Sequence, residues 1–429
     1  MFETFKNAWR IPELKKKILY TLFILLIFRI GASIPVPFID LQGLKTLFSS
    51  ADYANSMLGF VNVFTGGGLS NATLFAMSIT PYINASIILQ LLTVAIPALE
   101  RMVKENGEEG RKKIASWTRY LGVALGLLQG FTYYTMLRAQ NLLTQRDVWT
   151  GIVIVMSFTA GTAFIIWLGE HITENGIGNG ISIILFAGII SRGPSMVNGM
   201  YNLIKNGSAN ILIAALILVV GIALIVFVVF MSNAERRIPI QYAKRVVGRK
   251  MYGGQSTHLP IKVSASGVMP IIFASSIMSL PTTIGIFYKP ASGSFGWHIM
   301  NLFNHTHPFY IVVYLLLIVA FSYFYAAIQF NPVEIANNLK KNGGFIPGFR
   351  PGKPTSDFIT KALGKVTFVG SIFLGVVAAL PLVIAAFNSS LSGVALGGTS
   401  VLIVVGVALD TVKQMEAQMM MRHHKGFLE

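Results

Sequence analysis

A chain of 429 residues with 53% hydrophobic and only 12% charged residues cannot present a surface polar enough for an ordinary soluble domain, so its solvent is a bilayer. The absence of cysteine excludes disulfides, thiolate metal sites and cysteine nucleophiles. At roughly 20 apolar residues per spanning helix plus loops, the length leaves room for about ten crossings.

The N-terminus sets Lys15, Lys16 and Lys17 before an apolar run. That run is longer than the roughly 7 to 15 residues of a secretory signal core and no A-x-A site follows, so it reads as a retained first span. In chain order the predicted spans lie near 18–34, 74–96, 114–137, 148–169 and 180–203, then 209–232, 266–287, 308–330, 366–387 and 397–414. No alternation of the kind a barrel needs is present, and spanning backbone must satisfy its own hydrogen bonds, so the class is an all-α polytopic membrane protein with ten transmembrane helices.

Placing the N-terminus in the cytoplasm collects Arg101 to Lys113, Arg236 to Lys262 and Lys340 to Lys365 on one side, leaves the opposite loops nearly bare, and concentrates the +17 charge on the cytoplasmic face. "GEHITENGIGNG" (Gly169 to Gly180) carries no Lys or Arg and is placed there by its neighbours. Part of the positive charge meets anionic lipid headgroups. Two loops exceed that need: Asn233 to Val263 and Asn331 to Asp357 are far longer than the usual connection of about 2 to 8 residues in a bundle. Their Pro, Gly and Arg content predicts rigid protruding hairpins that offer guanidinium groups to phosphate backbones or carboxylates.

Catalytic patterns are missing. "RPGKPT" has neither the spacing nor the hydroxyl of a phosphate cradle, no H-E-x-x-H or G-x-S-x-G occurs, and no histidine pair has metal-ligand spacing on a helix face. The sequence thus points to no catalytic residue, metal or cofactor. Ionisable groups at membrane depth are few, with Arg29, Arg119, Glu170 and Asp410 all near span ends, which weighs against an ion-coupled transporter of a small solute. That transporter is the alternative reading.

What remains is polar and uncharged. Within "SITPYINASIILQLL" (Ser78 to Leu92) stand Thr80, Pro81, Asn84, Ser86 and Gln90, and the seventh span carries Pro270, Ser275, Ser276, Ser279 and Pro281. Either these groups serve interhelical hydrogen bonding, or proline-interrupted polar helices in the second span of each five-span half mark an internal repeat with a pathway between the halves. Gly122, Gly126 and Gly130, four residues apart, predict close helix packing.

"ITPYINASIILQLL", "WLGEHITENGIGNGISIILFAGI", "QYAKR", "GGQSTHLPIKV", "FNPVEIANNLKKNGGFIPGFRPGKPT" and "GGTSVLIVVGVALD", in this order along nearly the whole chain, resemble the bacterial SecY family, the channel subunits of the Sec protein translocon. The resemblance implies two inverted halves, 1–205 and 206–429, around an hourglass pore in a single membrane domain. It implies a passive channel, not an enzyme, that passes unfolded secretory polypeptides and releases apolar segments sideways between spans two and seven. Carried over position by position, the pore ring is Ile79, Ile83, Ile181, Leu185, Ile272 and Ile403, aliphatic side chains that fit around any substrate and block ions by dewetting when empty. The lateral gate is lined by Thr80, Asn84, Gln90, Ser275, Ser276 and Ser279.

A plug segment would lie between Met57 and Asn71, with Leu58, Phe60, Val61, Val63 and Phe64 on it and Gly66 and Gly67 in a hinge. Docking loops near 233–265 and 331–365 would present Lys244, Arg245, Arg249, Arg350 and Lys353. The implied partners are SecE as a clamp, SecG at the periphery, the SecA ATPase motor, the ribosome, signal-bearing precursor polypeptides and anionic lipids. The implied location is the bacterial plasma membrane, with both termini cytoplasmic.

Overall fold

The computed structural model describes residues 2–49, 62, 65–105, 107–205, 211–242, 245–247, 250–252, 256–264, 267–287, 294, 296, 302–303, 307–387 and 398–425. Helix α1 (Phe2–Arg10) ends at Ile11, which is extended because it precedes Pro12, the first residue of α2 (Pro12–Gly31). After α3 (Leu41–Ser49) come α4 (Thr80–Ala95) and α5 (Pro97–Glu105), whose axes are bent by 103°. The joint is Ile96, extended ahead of Pro97. Long helices α6 (Gly107–Ala139) and α7 (Val148–Asn175) follow, then α8 (Gly180–Ile190), α9 (Gly193–Lys205) and α10 (Ile211–Asn233).

Strands β1 (Glu235–Tyr242), β2 (Arg245–Val247), β3 (Lys250–Tyr252) and β4 (Ser256–Lys262) precede α11 (Met269–Phe287). The chain closes with α12 (Pro308–Gln329), α13 (Pro332–Lys341), β5 (Gly344–Phe345), α14 (Lys353–Phe387) and α15 (Gly398–Lys425).

Each predicted apolar run coincides with helix. By length and composition, among the described residues, Val148–Asn175, Pro308–Lys341 and Lys353–Leu380 can each cross a membrane, and the bent pair starting at Thr80 would make a fourth. Two runs differ from expectation. The second begins as helix only at Thr80, because residues 65–79 are turns with Ala72 and Ser78 at positive φ. Leu74 there lies directly on the α7 backbone: a Cβ built on Gly161 would fall 2.0 Å from the Leu74 carbonyl oxygen, so only glycine admits this approach. Pro81 therefore starts the helix in its first turn, where its missing N–H costs nothing, and does not interrupt it. In α11, Pro270 likewise stands in the first turn and Pro281 is interior. The fifth run breaks at Ser191 and Arg192, just before the Gly193-Pro194 pair that opens α9.

Buried side chains gather in distinct clusters. One draws on residues between Val36 and Phe158, where Gly122, Gly126 and Gly130 let α6 lie against Tyr82, Thr162 and Phe158. A second draws on residues between Leu224 and Leu409, from α10, α11, α12, α14 and α15. A third joins α2, α4, α7 and α8 to Ile403 and Val407 of α15.

The all-α expectation needs one correction, since the two basic loops fold together into a β-layer. β1 pairs antiparallel with β4, Glu235 opposite Lys262 and Gln241 opposite Ser256, and β5 adds to the other edge of β1 at Gln241 and Tyr242. Period-two alternation in "RIPIQY" turns Ile238 and Ile240 inward onto Ile261, Leu339, Ile346 and Ile359. Pro239 is tolerated because β5 does not reach it, so no ladder partner is lost on that side. Loop 331–365 is therefore no hairpin but helix α13, strand β5 and the start of α14. β2 and β3 form a separate two-stranded ribbon.

Candidate functional site

Ile79, the N-cap of α4, stands four residues before Ile83, whose N–H donates to the Ile79 carbonyl at 3.1 Å. The same spacing relates Ile181, Leu185 and Ile189 on α8, and Ile403 and Val407 on α15. These stripes meet. Ile79, Leu185 and Ile403 are buried in one aliphatic cluster at 0%, 6% and 3% exposure, with Ile83 and Ile181 packed against it. Five of the six expected ring positions are thus together. Ile272 is not in that cluster: it is half-buried, and α11 directs the neighbouring Ile271 and Ala274 into the cluster formed with α12 and α14. Sequence reasoning missed Ile189, Val404 and Val407, although the i, i+4 repeat from Leu185 and from Ile403 signals two of them.

Beside the cluster lies a polar contact between α4 and α11. Ser276 Oγ donates to Asn84 Oδ1 at 3.1 Å across a half-buried seam. Thr80 is half-buried, Gln90 is exposed, and Ser275 Oγ donates to the carbonyl of Ile272 at 2.9 Å. Ser279 lies in α11 with its side chain outside the described residues.

Of the expected plug positions, Leu58, Phe60, Val61, Val63 and Phe64 lie outside the described residues. Gly66 and Gly67 are described, with φ of 67° and 86°. A Cβ on Gly66 would stand 2.8 Å from the Gly188 carbonyl oxygen of α8, so both backbone angle and space select glycine there. The turns beyond are anchored, since the Asn62 side chain accepts from the Ser70 N–H and the Tyr133 hydroxyl donates to the Leu69 carbonyl at 2.7 Å.

Among the docking positions, Lys244 and Arg249 lie outside the described residues, and Arg245 opens β2 with its side chain outside them. Arg350 is exposed in the turn between β5 and α14. Its backbone is held, because its carbonyl accepts from Thr355 Oγ1 at 2.8 Å and the preceding Phe349 ring packs on Phe358 at 4.3 Å. Lys353 is exposed as the first residue of α14.

Arg119 Nε meets Glu170 Oε1 at 2.9 Å between α6 and α7. Among the described residues no group of three His, Asp or Glu side chains could hold a metal ion. The site combines a buried aliphatic cluster with an adjacent half-buried polar contact between α4 and α11.

Comparison with known proteins agrees. The SecY family model matches residues 73–412. The chain is 44% identical to the protein translocase subunit SecY of Streptomyces galbus and 45% identical to that of Bacillus subtilis strain 168, over the whole of both chains in each case. Among solved structures, one described as a protein-conducting channel aligns with a TM-score of 0.65 at 19% identity, covering 94% of this chain and 92% of that one. Sec61 in a canine ribosome-channel complex from the endoplasmic reticulum aligns at 0.63 and 19% identity with the same coverage. These structures carry the likeness of fold, and the sequence relatives carry the kinship: the chain belongs to the SecY family.

Proposed function

We propose that this chain is the central subunit of a protein-conducting channel, passing unfolded secretory polypeptides through the aliphatic constriction and releasing hydrophobic segments laterally between α4 and α11. Membership in the SecY family displaces the solute-transporter alternative. The observation that carries the reading is the meeting of Ile79, Ile83, Ile181, Leu185 and Ile403, from three helices, in one aliphatic cluster. Ile272 completes the ring from α11 once the pore opens around substrate.

The finer assignments follow as part of the same reading. Ten spans form two inverted halves, 1–205 and 206–429, around an hourglass pore. Thr80, Asn84, Gln90, Ser275, Ser276 and Ser279 line the lateral gate, and their polarity lets the helices part without exposing bare hydrocarbon to water. The segment 57–71 closes the external funnel, hinged at Gly66 and Gly67. The β-layer and the turn at Arg350 face the cytoplasm of a bacterial plasma membrane, where both termini also lie. With no nucleotide cradle in the sequence, the driving energy comes from a docked SecA motor or an elongating ribosome. SecE clamps the halves, SecG lies peripherally, and anionic lipids neutralise the remaining basic residues.

Photocrosslinkers at Gln90 and Ser275, with a signal-bearing precursor halted during entry, test the lateral exit. The signal should be captured from both sides of the seam. Capture only from lipid-facing Leu218 of α10 would contradict it.

A further inference from the structure

The β-layer has two flanks, and proline interrupts each of them. In an antiparallel pair, facing residues alternate between exchanging both backbone hydrogen bonds and turning those groups outward. Where the pairing begins, the Val263 N–H donates to the Ala234 carbonyl at 2.9 Å, so that position is of the bonded kind. Along the register, Arg236 with Ile261, Ile238 with Leu259 and Ile240 with Thr257 are then bonded too. The backbone groups of Ser256, His258, Pro260 and Lys262 therefore point away from β1, toward the flank of β4 that no described strand covers. On β1, those of Glu235, Arg237, Pro239 and Gln241 point the other way, where β5 pairs only with Gln241 and Tyr242.

On the β4 flank, Pro260 removes the donor from within the row and sets its ring where the hydrogen would be. On the β1 flank the ladder with β5 stops for the same reason. Gln241 faces Phe345, so the next outward pair, two residues on, would be Pro239 with Pro347, and neither has an N–H to give. All three prolines are exposed. An open edge with a full row of donors and acceptors is a template for any extended chain, because strand addition recognises backbone. The clients of a protein-conducting channel arrive unfolded and have only their backbone in common. β4 leads directly into α11, one wall of the seam, so a plain edge here would lie beside their route and hold them.

From this arrangement we infer that Pro239, Pro260 and Pro347 are edge guards, which keep unfolded clients from adding themselves to the β-layer as an extra strand. This rests on the channel reading and on the cytoplasmic placement of the layer. The guards widen the range of clients the channel accepts. A segment rich in Val, Ile and Thr gains most from strand pairing, and it is the kind that an unguarded edge would stall. Pro260 is the decisive member, because its flank is uncovered along the whole of β4 among the described residues, whereas Pro239 stands next to β5.

Restoring the missing donor tests the inference. In proteoliposomes with the motor ATPase, compare Pro260→Thr with the unaltered chain on two signal-bearing precursors. They differ only in one unfolded segment, rich in Val, Ile and Thr in one and in Gly and Ser in the other. The ratio of their translocation rates should shift about fivefold against the strand-forming client, the worth of one net hydrogen bond. A cysteine replacing exposed His258 should also form a disulfide with one in the strand-forming segment, in the Pro260→Thr chain alone, since the protein has no cysteine of its own. Joining Asn84→Cys to Ser276→Cys with a short bifunctional thiol reagent checks that the spans still pack. If Pro260→Thr fails that check, Pro260→Ala, which restores the N–H without a branched side chain, takes its place, and failure of both overturns the guard. Equal slowing of both clients, no slowing, or no disulfide would overturn the guard and leave the channel standing. An unaltered chain that carries neither client would remove the channel reading and the guard with it.

Discussion

Asn84 and Ser276 are 192 residues apart in sequence and meet across the seam at 3.1 Å. A half-buried neutral hydrogen bond has a net worth of about 1 kcal/mol, roughly a fivefold bias toward the closed seam. Asn84→Ala should therefore let the gate open about fivefold more readily, read as increased export of a precursor with a weakened signal. Unchanged export would show that this bond does not hold the gate. The need for polar groups on both helices was legible in the sequence, because Asn, Gln and Ser in otherwise apolar spans demand partners. Which of them meet was not, since pairing depends on how two distant helices are rotated and shifted. The aliphatic positions divide in the same way. Ile79, Leu185 and Ile403 share one buried cluster, while Ile272 lies apart because α11 turns the face bearing Ile271 and Ala274 into its own bundle.

Among the elements, hydropathy found the helices but not their interruptions. The break at Ser191 and Arg192 follows from Gly193-Pro194, and the late start of α4 follows from turns seated on Gly161, a tertiary contact that no local pattern reveals. The β-layer was within reach of the sequence, as "RIPIQY" alternates with a period of two, but charge drew the loops toward a reading as exposed hairpins. Its inward face makes a distinct prediction. Burial of an Ile side chain contributes about 1.5–3 kcal/mol, and a carboxylate there would be unpaired. Ile240→Asp should unfold the layer and abolish binding of the motor ATPase, measured by loss of channel-stimulated ATP hydrolysis, while the Asn84→Cys/Ser276→Cys pair still joins. Retained motor binding would separate docking from the layer. Arg350→Glu should give the same loss with the layer folded, because that guanidinium is exposed on a fixed backbone.

At the scale of the whole molecule, α12 runs into the β-layer, α14 leaves it, and the end of α15 packs beside α1 and α2. Elsewhere Ile39 bridges Leu143 beside the turn at Asn141. Cysteines replacing exposed Lys262 and Asn342 should react with an impermeant reagent only from the cytoplasmic face, and one replacing exposed Gln145 only from the outer face. The reverse pattern would invert the orientation. Charge asymmetry predicts this orientation, whereas the packing of the end of α15 against α1 and α2 had no sequence signal, since it needs side chains from residues 8 to 177 to converge. The path of the translocating chain is the central claim, and one crosslink tests it most directly. A cysteine at Ile83 should form a disulfide with a cysteine in a precursor stalled midway with motor and ATP, while one at Leu218, 61% exposed on α10, should not. Reaction at Leu218 with none at Ile83, in a verified stalled complex, would contradict passage through the aliphatic ring.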